Sequence, residues 1–283
     1  QPLKLSVEAF EQWEHKAITL LGMSGVGKTH LSMNLRQQNW FHFSGDYRIG
    51  TRYLDEAIID NIKLQAMQVP FLRDLLRSDS IFIGNNITFN NLNPVSTFLG
   101  KLGDPEKMGV PLDLFKKRQR MFYEAELSTM LDVPEFIEKA DRIYGYTNFI
   151  NDAGGSLCEI DDEHVFETLA KHTLILYIEA TEQNKKDVIE RARLKPKPLY
   201  YREAFLDEYL ERYLQENNMQ FAAQIDPDEF ARWVFPHLFY ARIPRYEAIA
   251  EKYGYSVSSE RVAQVETEQD FLDLVKDVIA EAQ

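Results

Sequence analysis

The eight residues from Gly22 to Thr29, GMSGVGKT, constrain this chain more than any other feature of its sequence. They match the pattern G-x-x-x-x-G-K-[ST] at every position. An apolar run, Ala17 to Gly22, precedes them, and a helical pattern runs from Lys28 to Gln38. Glycines in such a loop let successive backbone N–H groups turn toward phosphate oxygens, and the helix that follows directs its positive end at the same anion. The motif therefore predicts a strand, a phosphate-binding loop and a helix, in that order.

Each position of the loop has a predicted role. We expect Lys28 to contact the β- and γ-phosphates of a nucleotide and to act in catalysis, and the Thr29 hydroxyl to hold Mg²⁺. His30 is expected to pack beside the loop without a catalytic role. The residues expected to bind the nucleotide are Gly22, Ser24, Gly25, Val26, Gly27, Lys28, Thr29 and His30. The alternative is a chance match, which a chain of this length would show about once in a hundred cases at average residue frequencies.

A loop of this kind needs a second acid to complete the Mg²⁺ shell. The segment NFINDAGGS, residues 148–156, places Asp152 at the end of an apolar run. Gly154 and Gly155 follow, and glycines at such a place allow the backbone to approach a ligand closely. We therefore expect Asp152 to be a metal-binding and catalytic acid. An ordinary turn-forming Asp is the alternative interpretation, and Glu179, at the end of the next apolar run, is the rival acid.

Apolar runs and helical patterns alternate along the chain. Strands are predicted at residues 17–22, 40–46, 146–152 and 173–179, with a weaker fifth at 221–226. Further helices are predicted from an apolar stripe in residues 203–214 and from a capping box that Thr267 and Asp270 form near the C-terminus. Strands that alternate with helices predict a three-layer α/β fold with a mainly parallel five-stranded sheet.

The stretch between the second and third predicted strands differs from the rest. An apolar face, which Leu54, Ile58, Ile62 and Ala66 form, predicts a helix that is broken or restarted at Pro70. Residues 79–111 are rich in Asn, Gly and Pro and are predicted to form a long loop with one short strand, and such loops are usually functional. Residues 115–139 predict another helix. We therefore predict a nucleotide-binding core at 1–53 and 141–283, and a mostly helical acceptor-binding insertion at 54–140.

Basic residues gather at two places in an otherwise acidic chain. Four of them lie within seven residues and predict a lid that closes over phosphates. These four are Arg191, Arg193, Lys195 and Lys197. A solvated helix end is the alternative, because cations suit the C-terminal end of a helix. The second cluster, Lys116 to Arg120, is either a substrate contact or a solvated helix face.

One acidic residue follows the second predicted strand. Asp46 lies in SGDYRIGTR, residues 44–52, and we expect it to act as a catalytic base or to bind a substrate hydroxyl. A turn-forming Asp is the alternative. Arg48 and Arg52 are near it in the sequence and suit an anionic substrate.

The phosphate-binding loop, the Gly-Gly pair and the segment LILYIEATEQNKKDVIERARLKPKPLYY, residues 174–201, resemble a known group of enzymes. These are the small-metabolite kinases of the shikimate and gluconate kinase type, within the adenylate-kinase-like P-loop proteins. The resemblance covers residues 17–53 and about 145–226. It implies a P-loop NTPase fold, ATP and Mg²⁺ as cofactors, an arginine-bearing lid and an acid after the second strand.

The resemblance also implies roles for single residues. Arg191 and Arg193 would act in the lid, Gly154 and Gly155 would line the substrate site, and Arg120, with Glu124 downstream, would be the counterpart of a substrate-site Arg and Glu. The long insertion has no counterpart in a shikimate kinase, so the acceptor stays open. Over its whole length the chain is also similar to bacterial proteins labelled only as ATPases.

The charge and composition of the chain limit the kinds of partner that it is expected to bind. The chain has a net charge of −13, which repels nucleic acids and anionic lipids at long range. Its single cysteine, Cys158, cannot form an intrachain disulfide, and we expect it to be a buried thiol. No apolar run approaches the ~20 residues that span a bilayer. We therefore expect a cytoplasmic protein that binds neither nucleic acid nor membrane.

The leading prediction is an ATP-dependent kinase of a small polar metabolite or a nucleotide. The alternative is an ATPase- or GTPase-type switch with a protein partner, or a nucleotide sensor. Residues 152–155 fit the D-x-x-G motif of GTPases and residues 184–187 fit N-K-x-D. However, about 120 residues separate Thr29 from Asp152, and Asn184 lies inside a predicted helix. The sequence leaves the acceptor and the oligomeric state open.

Overall fold

The computed structural model describes residues 4–283. Five strands form one sheet in the order β2-β3-β1-β4-β5, and every pair of neighbours is parallel. The strands are β1 (Ala17–Leu21), β2 (Trp40–Ser44), β3 (Asn148–Asp152), β4 (Leu174–Glu179) and β5 (Gly254–Ser258). This architecture confirms the predicted α/β fold with a five-stranded parallel sheet, and β1 lies at its centre.

The fifth strand was predicted at the wrong place. Residues 221–226 contain a 3₁₀ turn, Ala222–Gln224, and β5 lies about 30 residues later. In β5 the buried Tyr255 and Val257 alternate with the exposed Ser256, a period-2 pattern that covers too few residues to stand out beside a long helix. Gly254 opens the strand because a Cβ there would lie 2.2 Å from the Ile175 carbonyl oxygen of β4.

The described residues form fourteen α-helices. They are α1 (Val7–Gln12), α2 (Lys28–Arg36), α3 (Gly45–Arg48), α4 (Asp55–Ala66), α5 (Pro70–Arg77), α6 (Asn93–Leu99), α7 (Leu112–Leu131), α8 (Val133–Arg142), α9 (Glu163–His172), α10 (Glu182–Leu194), α11 (Glu203–Glu216), α12 (Pro227–Tyr253), α13 (Ser259–Ala263) and α14 (Glu268–Glu281). A π-helical turn, Ile49–Tyr53, continues α3, and 3₁₀ turns lie at Pro105–Lys107 and Leu157–Glu159.

Most predicted helices are confirmed, with two changes. Pro70 starts a new helix, and Thr267 and Asp270 form the predicted capping box of α14. The predicted helix at 115–139 is two helices, α7 and α8, which separate at Asp132 before Pro134. The predicted long loop at 79–111 contains α6 and a 3₁₀ turn, and its only pairing among the described residues is two isolated bridges.

The sheet has one helical layer on each face. On one face, alternate residues such as Ile18, Leu20, Ile150 and Leu176 pack in a core with the apolar side chains of α2, α13 and α14. On the other face, α8 packs on β2 and β3, and α9 packs on β4. Side chains that alternate with a period of two along each strand supply both faces, which explains why β1 is buried throughout.

The contacts of the chain divide it into two compact units. The first unit holds the sheet and comprises the described residues up to Gly45, Glu126–Pro196 and Arg232–Gln283. The second unit comprises Asp46–Ala125 and Lys197–Ala231. It has its own apolar core, to which Ile49, Ile58, Phe98 and Phe122 belong. The predicted core boundary at residue 1 lies outside the described residues.

A helix that crosses a bilayer needs about 20 consecutive, mostly apolar residues. Among residues 4–283, no helix is both long and apolar enough to cross a bilayer.

Candidate functional site

The phosphate-binding loop connects the end of β1 to the start of α2. Gly25 and Gly27 have φ angles of 92° and 103°, which lie in the left-handed region that favours glycine. Gly27 is the N-cap residue of α2, so the loop ends where the helix begins. A helix start at this position presents a partial positive charge to an anion. The sequence therefore folds locally as the motif requires.

Lys28 is buried at the base of this loop. Its ammonium group donates hydrogen bonds to the carbonyl oxygens of Gly22 and Met23, the latter at 3.0 Å. Thr29 and His30 follow in the first turn of α2, and both are exposed. Lys28 is thus held within the loop by backbone acceptors, with the Thr29 side chain on the exposed side of the same turn.

Asp152 ends β3 at the same edge of the sheet. The register pairs it with Leu20 of β1 on one side and with Ser44 of β2 on the other, so it lies beside the strand that leads into the loop. Its carboxylate is buried and lies 3.1 Å from the Nε2 atom of His42 in β2. Sequence reasoning missed His42, whose only signal is a polar side chain two residues before the end of a buried strand.

The turn after β3 touches the loop directly. A Cβ built on Gly155 would lie 2.8 Å from the Ser24 hydroxyl oxygen and 3.0 Å from its backbone nitrogen. Real Cβ atoms do not approach this closely, so only glycine fits at position 155 without a shift. Gly45 also packs against this turn, because a Cβ there would lie 3.3 Å from the Gly154 nitrogen. The Gly-Gly pair therefore lets two backbone segments pack at the phosphate-binding edge.

The two arginines of the predicted lid lie in different environments. The Nη2 atom of Arg191 lies 3.0 Å from the Cβ position of Gly25, so this guanidinium group is beside the loop. Arg193 instead donates two hydrogen bonds to Glu190, at 2.9 and 2.7 Å, and its carbonyl oxygen accepts from Arg232. This ion pair raises the pKa of Arg193 and lowers the pKa of Glu190. α10 thus brings one lid arginine to the loop and pairs the other on its surface.

Two residues of α12 contact the loop region and were not predicted. The Tyr246 hydroxyl donates to the Gly155 carbonyl oxygen at 2.7 Å and lies 3.3 Å from that of Gly22. Arg242 donates to the same Gly155 oxygen at 3.4 Å. Both lie more than 200 residues after the loop inside a long helix, where no local pattern marks them.

Buried charges accompany this contact. The Ser156 hydroxyl donates to the Glu126 carboxylate, whose two oxygens lie 2.9 and 3.1 Å away. A carboxylate oxygen of Glu159 lies 3.5 Å from the Arg242 Nε atom. Both carboxylates are almost fully buried. Burial raises the pKa of the nearby Cys158 thiol to about 12, so it stays protonated at neutral pH. The cysteine is a buried thiol, as predicted, and is not activated as a nucleophile.

Four of the residues predicted to serve the acceptor lie in the second unit, namely Asp46, Arg48, Arg52 and Arg120. Asp46 is half-buried in the first turn of α3. The guanidinium groups of Arg48 and Arg52 each lie 5.8 Å from the Tyr53 ring centre. Arg120 is exposed and donates to Glu203 at 2.7 Å, which raises the pKa of the arginine.

The N-K-x-D sequence is a helix start. The Asn184 side-chain oxygen accepts from the Thr181 N–H at 3.1 Å and forms a capping box with that residue. It also accepts from the Ser259 hydroxyl. Asp187 accepts from Gln183 one turn earlier. The prediction that Asn184 lies in a helix is confirmed, and its side-chain amide oxygen caps the start of that helix.

The groups at this edge fit a nucleoside triphosphate with Mg²⁺. The loop carries backbone N–H groups and Lys28, and Arg191 adds a second cation beside it. Thr29 and Asp152 carry the oxygen atoms that could ligate Mg²⁺. Among residues 4–283, no group of three His, Cys, Asp or Glu side chains could hold a metal alone.

Comparisons with known proteins give the following result. No family model and no curated protein matches the chain. Among solved structures, it is similar to a shikimate kinase from Bacteroides thetaiotaomicron, with 12% sequence identity and a TM-score of 0.44. The alignment covers 94% of this chain and 98% of that chain. The architecture of the chain itself is a mixed α/β fold around a five-stranded, all-parallel sheet.

Proposed function

We propose that this protein is an ATP-dependent phosphotransferase that uses Mg²⁺ and phosphorylates a small polar metabolite or a nucleotide. The observation that supports it best is the packing of three elements at one edge of the sheet. The turn from Asp152 to Gly155 follows the strand beside β1 and contacts Ser24 of the loop. Arg191 of α10 lies beside Gly25 of the same loop. Phosphoryl transfer relies on positioning and on charge stabilisation, and these groups provide both.

Each residue has a proposed role on the donor side. The backbone N–H groups of the loop and Lys28 would bind the phosphates, with Gly22, Ser24, Gly25, Val26, Gly27 and His30 shaping or flanking the cradle. Thr29 and Asp152 would hold Mg²⁺, which supplies charge neutralisation on the phosphate oxygens. Arg191 would stabilise the charge of the transferring group. Arg193 is a weaker candidate for this role because Glu190 already pairs with it.

The acceptor side is assigned to the insertion and to the Gly-Gly turn. Asp46 would orient or deprotonate an acceptor hydroxyl, and Arg48 and Arg52 would contact anionic groups of the acceptor. Gly154 and Gly155 would allow the acceptor to approach. Arg120 would contribute little, since it is exposed and bonded to Glu203. The helical insertion at 54–140 would form the acceptor-binding subdomain.

The test is an acceptor screen. Purified protein with ATP and Mg²⁺ is incubated with pools of hydroxylated metabolites and nucleosides, and ADP release is measured with and without each pool. We expect release that depends on one pool and is lost in Lys28→Ala. Release that no pool stimulates would count against a kinase and in favour of an ATPase or a sensor. A strong preference for GTP that is lost in Asp187→Ala would instead support a GTPase-type switch.

A further inference from the structure

Tyr246 contacts both backbone segments that form the phosphate-binding edge. It is fully buried in α12, and its ring stacks on Tyr177 of β4 with centroids 5.2 Å apart and planes 8° apart. Its hydroxyl lies between two carbonyl oxygens, those of Gly155 at 2.7 Å and Gly22 at 3.3 Å. These two residues belong to the turn after β3 and to the start of the phosphate-binding loop.

The hydroxyl, rather than the ring, makes this contact specific. A phenylalanine would keep the stacking on Tyr177, whereas a buried hydroxyl has a desolvation cost that only a hydrogen bond offsets. Burial raises the pKa of Tyr246 well above its usual value, so the phenol remains a donor at neutral pH. Its one proton serves the Gly155 oxygen at the shorter distance and remains within reach of the Gly22 oxygen.

The same two carbonyl groups are contacted by charged side chains. The Gly22 oxygen also accepts from Lys28, and the Gly155 oxygen also accepts from Arg242. If Lys28 turns toward a phosphate, it leaves the buried Gly22 oxygen, and the Tyr246 hydroxyl is the neutral donor that stays beside that oxygen. The tyrosine therefore lies where movement of Lys28 would otherwise leave the buried Gly22 carbonyl oxygen without a hydrogen-bond donor.

We propose that Tyr246 is a positioning residue that couples the phosphate-binding loop to the turn carrying Asp152, through its hydroxyl between the Gly22 and Gly155 carbonyl groups. This inference rests on the proposed function. It predicts that the hydroxyl sets the distance between the phosphate-binding groups and the metal-binding acid. Loss of the hydroxyl should therefore weaken the dependence of nucleotide binding on Mg²⁺.

The experiment compares Tyr246→Phe with Tyr255→Phe, which removes another hydroxyl of the same unit. Among the described residues, the Tyr255 hydroxyl donates to the Leu5 carbonyl oxygen at 3.3 Å, and this hydrogen bond involves neither the loop nor the turn. Binding of a fluorescent ATP analogue is titrated for each protein with and without Mg²⁺. We expect Tyr246→Phe to bind ATP with Mg²⁺ about three- to tenfold more weakly, the range of one lost hydrogen bond. Tyr255→Phe should bind as the wild type does.

A second readout separates positioning from a general loss of stability. The gain in ATP affinity on adding Mg²⁺ should shrink in Tyr246→Phe, and in an Asp152→Asn background the tyrosine variant should no longer change that gain. Thermal unfolding of the two tyrosine variants is recorded alongside. A variant that loses stability but keeps the wild-type Mg²⁺ gain would overturn the proposal.

A measurement on the wild-type protein keeps the test independent of the variant's folding. In hydrogen–deuterium exchange, ATP with Mg²⁺ should protect residues 22–29 and residues 153–157 together. Protection of the loop alone would contradict the coupling. Failure of the wild type to bind any nucleotide would reject the proposed function itself, whereas normal binding and Mg²⁺ dependence in Tyr246→Phe would reject only the role of Tyr246.

Discussion

The phosphate-binding loop and the basic helices α7 and α10 both carry residues that the sequence singles out, yet they differ in how many of those residues reach the site. In the loop, each residue is positioned by backbone turns, and the Gly155 turn packs against Ser24. In the helices, some of the cations lie beside the loop or are buried, whereas others form ion pairs at the surface. Arg191 lies beside Gly25 while Arg193 pairs with Glu190, and Arg118 is buried while Arg120 is exposed.

The difference follows from helix geometry. Successive helical residues are ~100° apart around the axis, so residues two apart point in nearly opposite directions. A run of cations in a helix therefore cannot present all its charges to one site. A glycine-rich loop has no such restriction, because its backbone N–H groups can all turn toward one anion. Cation clusters in a sequence are thus weaker predictors of a site than glycine motifs.

The largest effect is expected from the loop itself. Lys28→Ala should lower the rate of nucleotide turnover about 10²- to 10³-fold, the usual result of removing one preorganised electrostatic contact. The measurement is ATP-dependent ADP release under saturating Mg²⁺. Lys185→Ala, which removes a half-buried lysine paired with Glu182, is the control and should leave turnover unchanged. Equal rates for wild type and Lys28→Ala would contradict the assignment of the loop.

A second variant pair tests the two lid arginines. Arg191→Gln should weaken ATP binding by about 10- to 100-fold, because a charge-assisted hydrogen bond to phosphate is lost. Arg193→Gln should leave binding unchanged, because its charge is already paired at the surface. Fluorescence titration with an ATP analogue measures both. Equal losses in the two variants would show that α10 rearranges as a lid. Both arginines would then contact the bound nucleotide.

Crowding at the Gly-Gly turn gives a somewhat smaller effect. Gly155→Ala places a methyl group against Ser24, and overpacking of this kind costs about 1–3 kcal/mol. We expect nucleotide binding to weaken by roughly 5- to 100-fold, the equivalent of that free energy. Gly84→Ala is the matched control, since a Cβ there has no neighbour within 4 Å. Unaltered binding in Gly155→Ala would mean that the turn and the loop are not held together during binding.

The last pair of variants lies in α7 and is expected to change stability rather than nucleotide binding. Arg118 donates to the Phe98 carbonyl oxygen at 2.9 Å and to Asn61 at 2.8 Å, and burial lowers its pKa. Arg118→Met should reduce the free energy of unfolding by about 1–3 kcal/mol, because buried acceptors lose their donor. Arg120→Met should leave it unchanged within error. Urea denaturation of both variants measures this, and equal stabilities would show that burial does not distinguish the two arginines.

The fold was predictable where local patterns are strong. Four of the five strands, the helix start at Pro70 and the capping box at Thr267 agree with the sequence patterns. The fifth strand did not, because β5 is a five-residue edge strand whose partner, β4, lies about 80 residues earlier. A weak period-2 signal becomes a strand only when a sheet edge is there to pair with it.

The candidate site divides in the same way. Lys28, Thr29, Asp152 and the Gly-Gly pair could be named from their motifs, because a glycine loop and an acid after a strand require only a few adjacent residues. His42, Glu126, Arg242 and Tyr246 could not be named. Their contacts with the turn and the loop join residues that are 30 to more than 200 positions apart, and nothing in their local sequence reflects those contacts.

The sequence by itself therefore determined the phosphate-binding loop, the parallel α/β sheet and the acid at the end of β3. The tertiary structure alone decided which of the neighbouring arginines reaches the loop and which tyrosine joins the loop to the turn. The physical reason is range. Backbone conformation follows from a few consecutive residues, whereas the partner of a side chain depends on how distant elements pack.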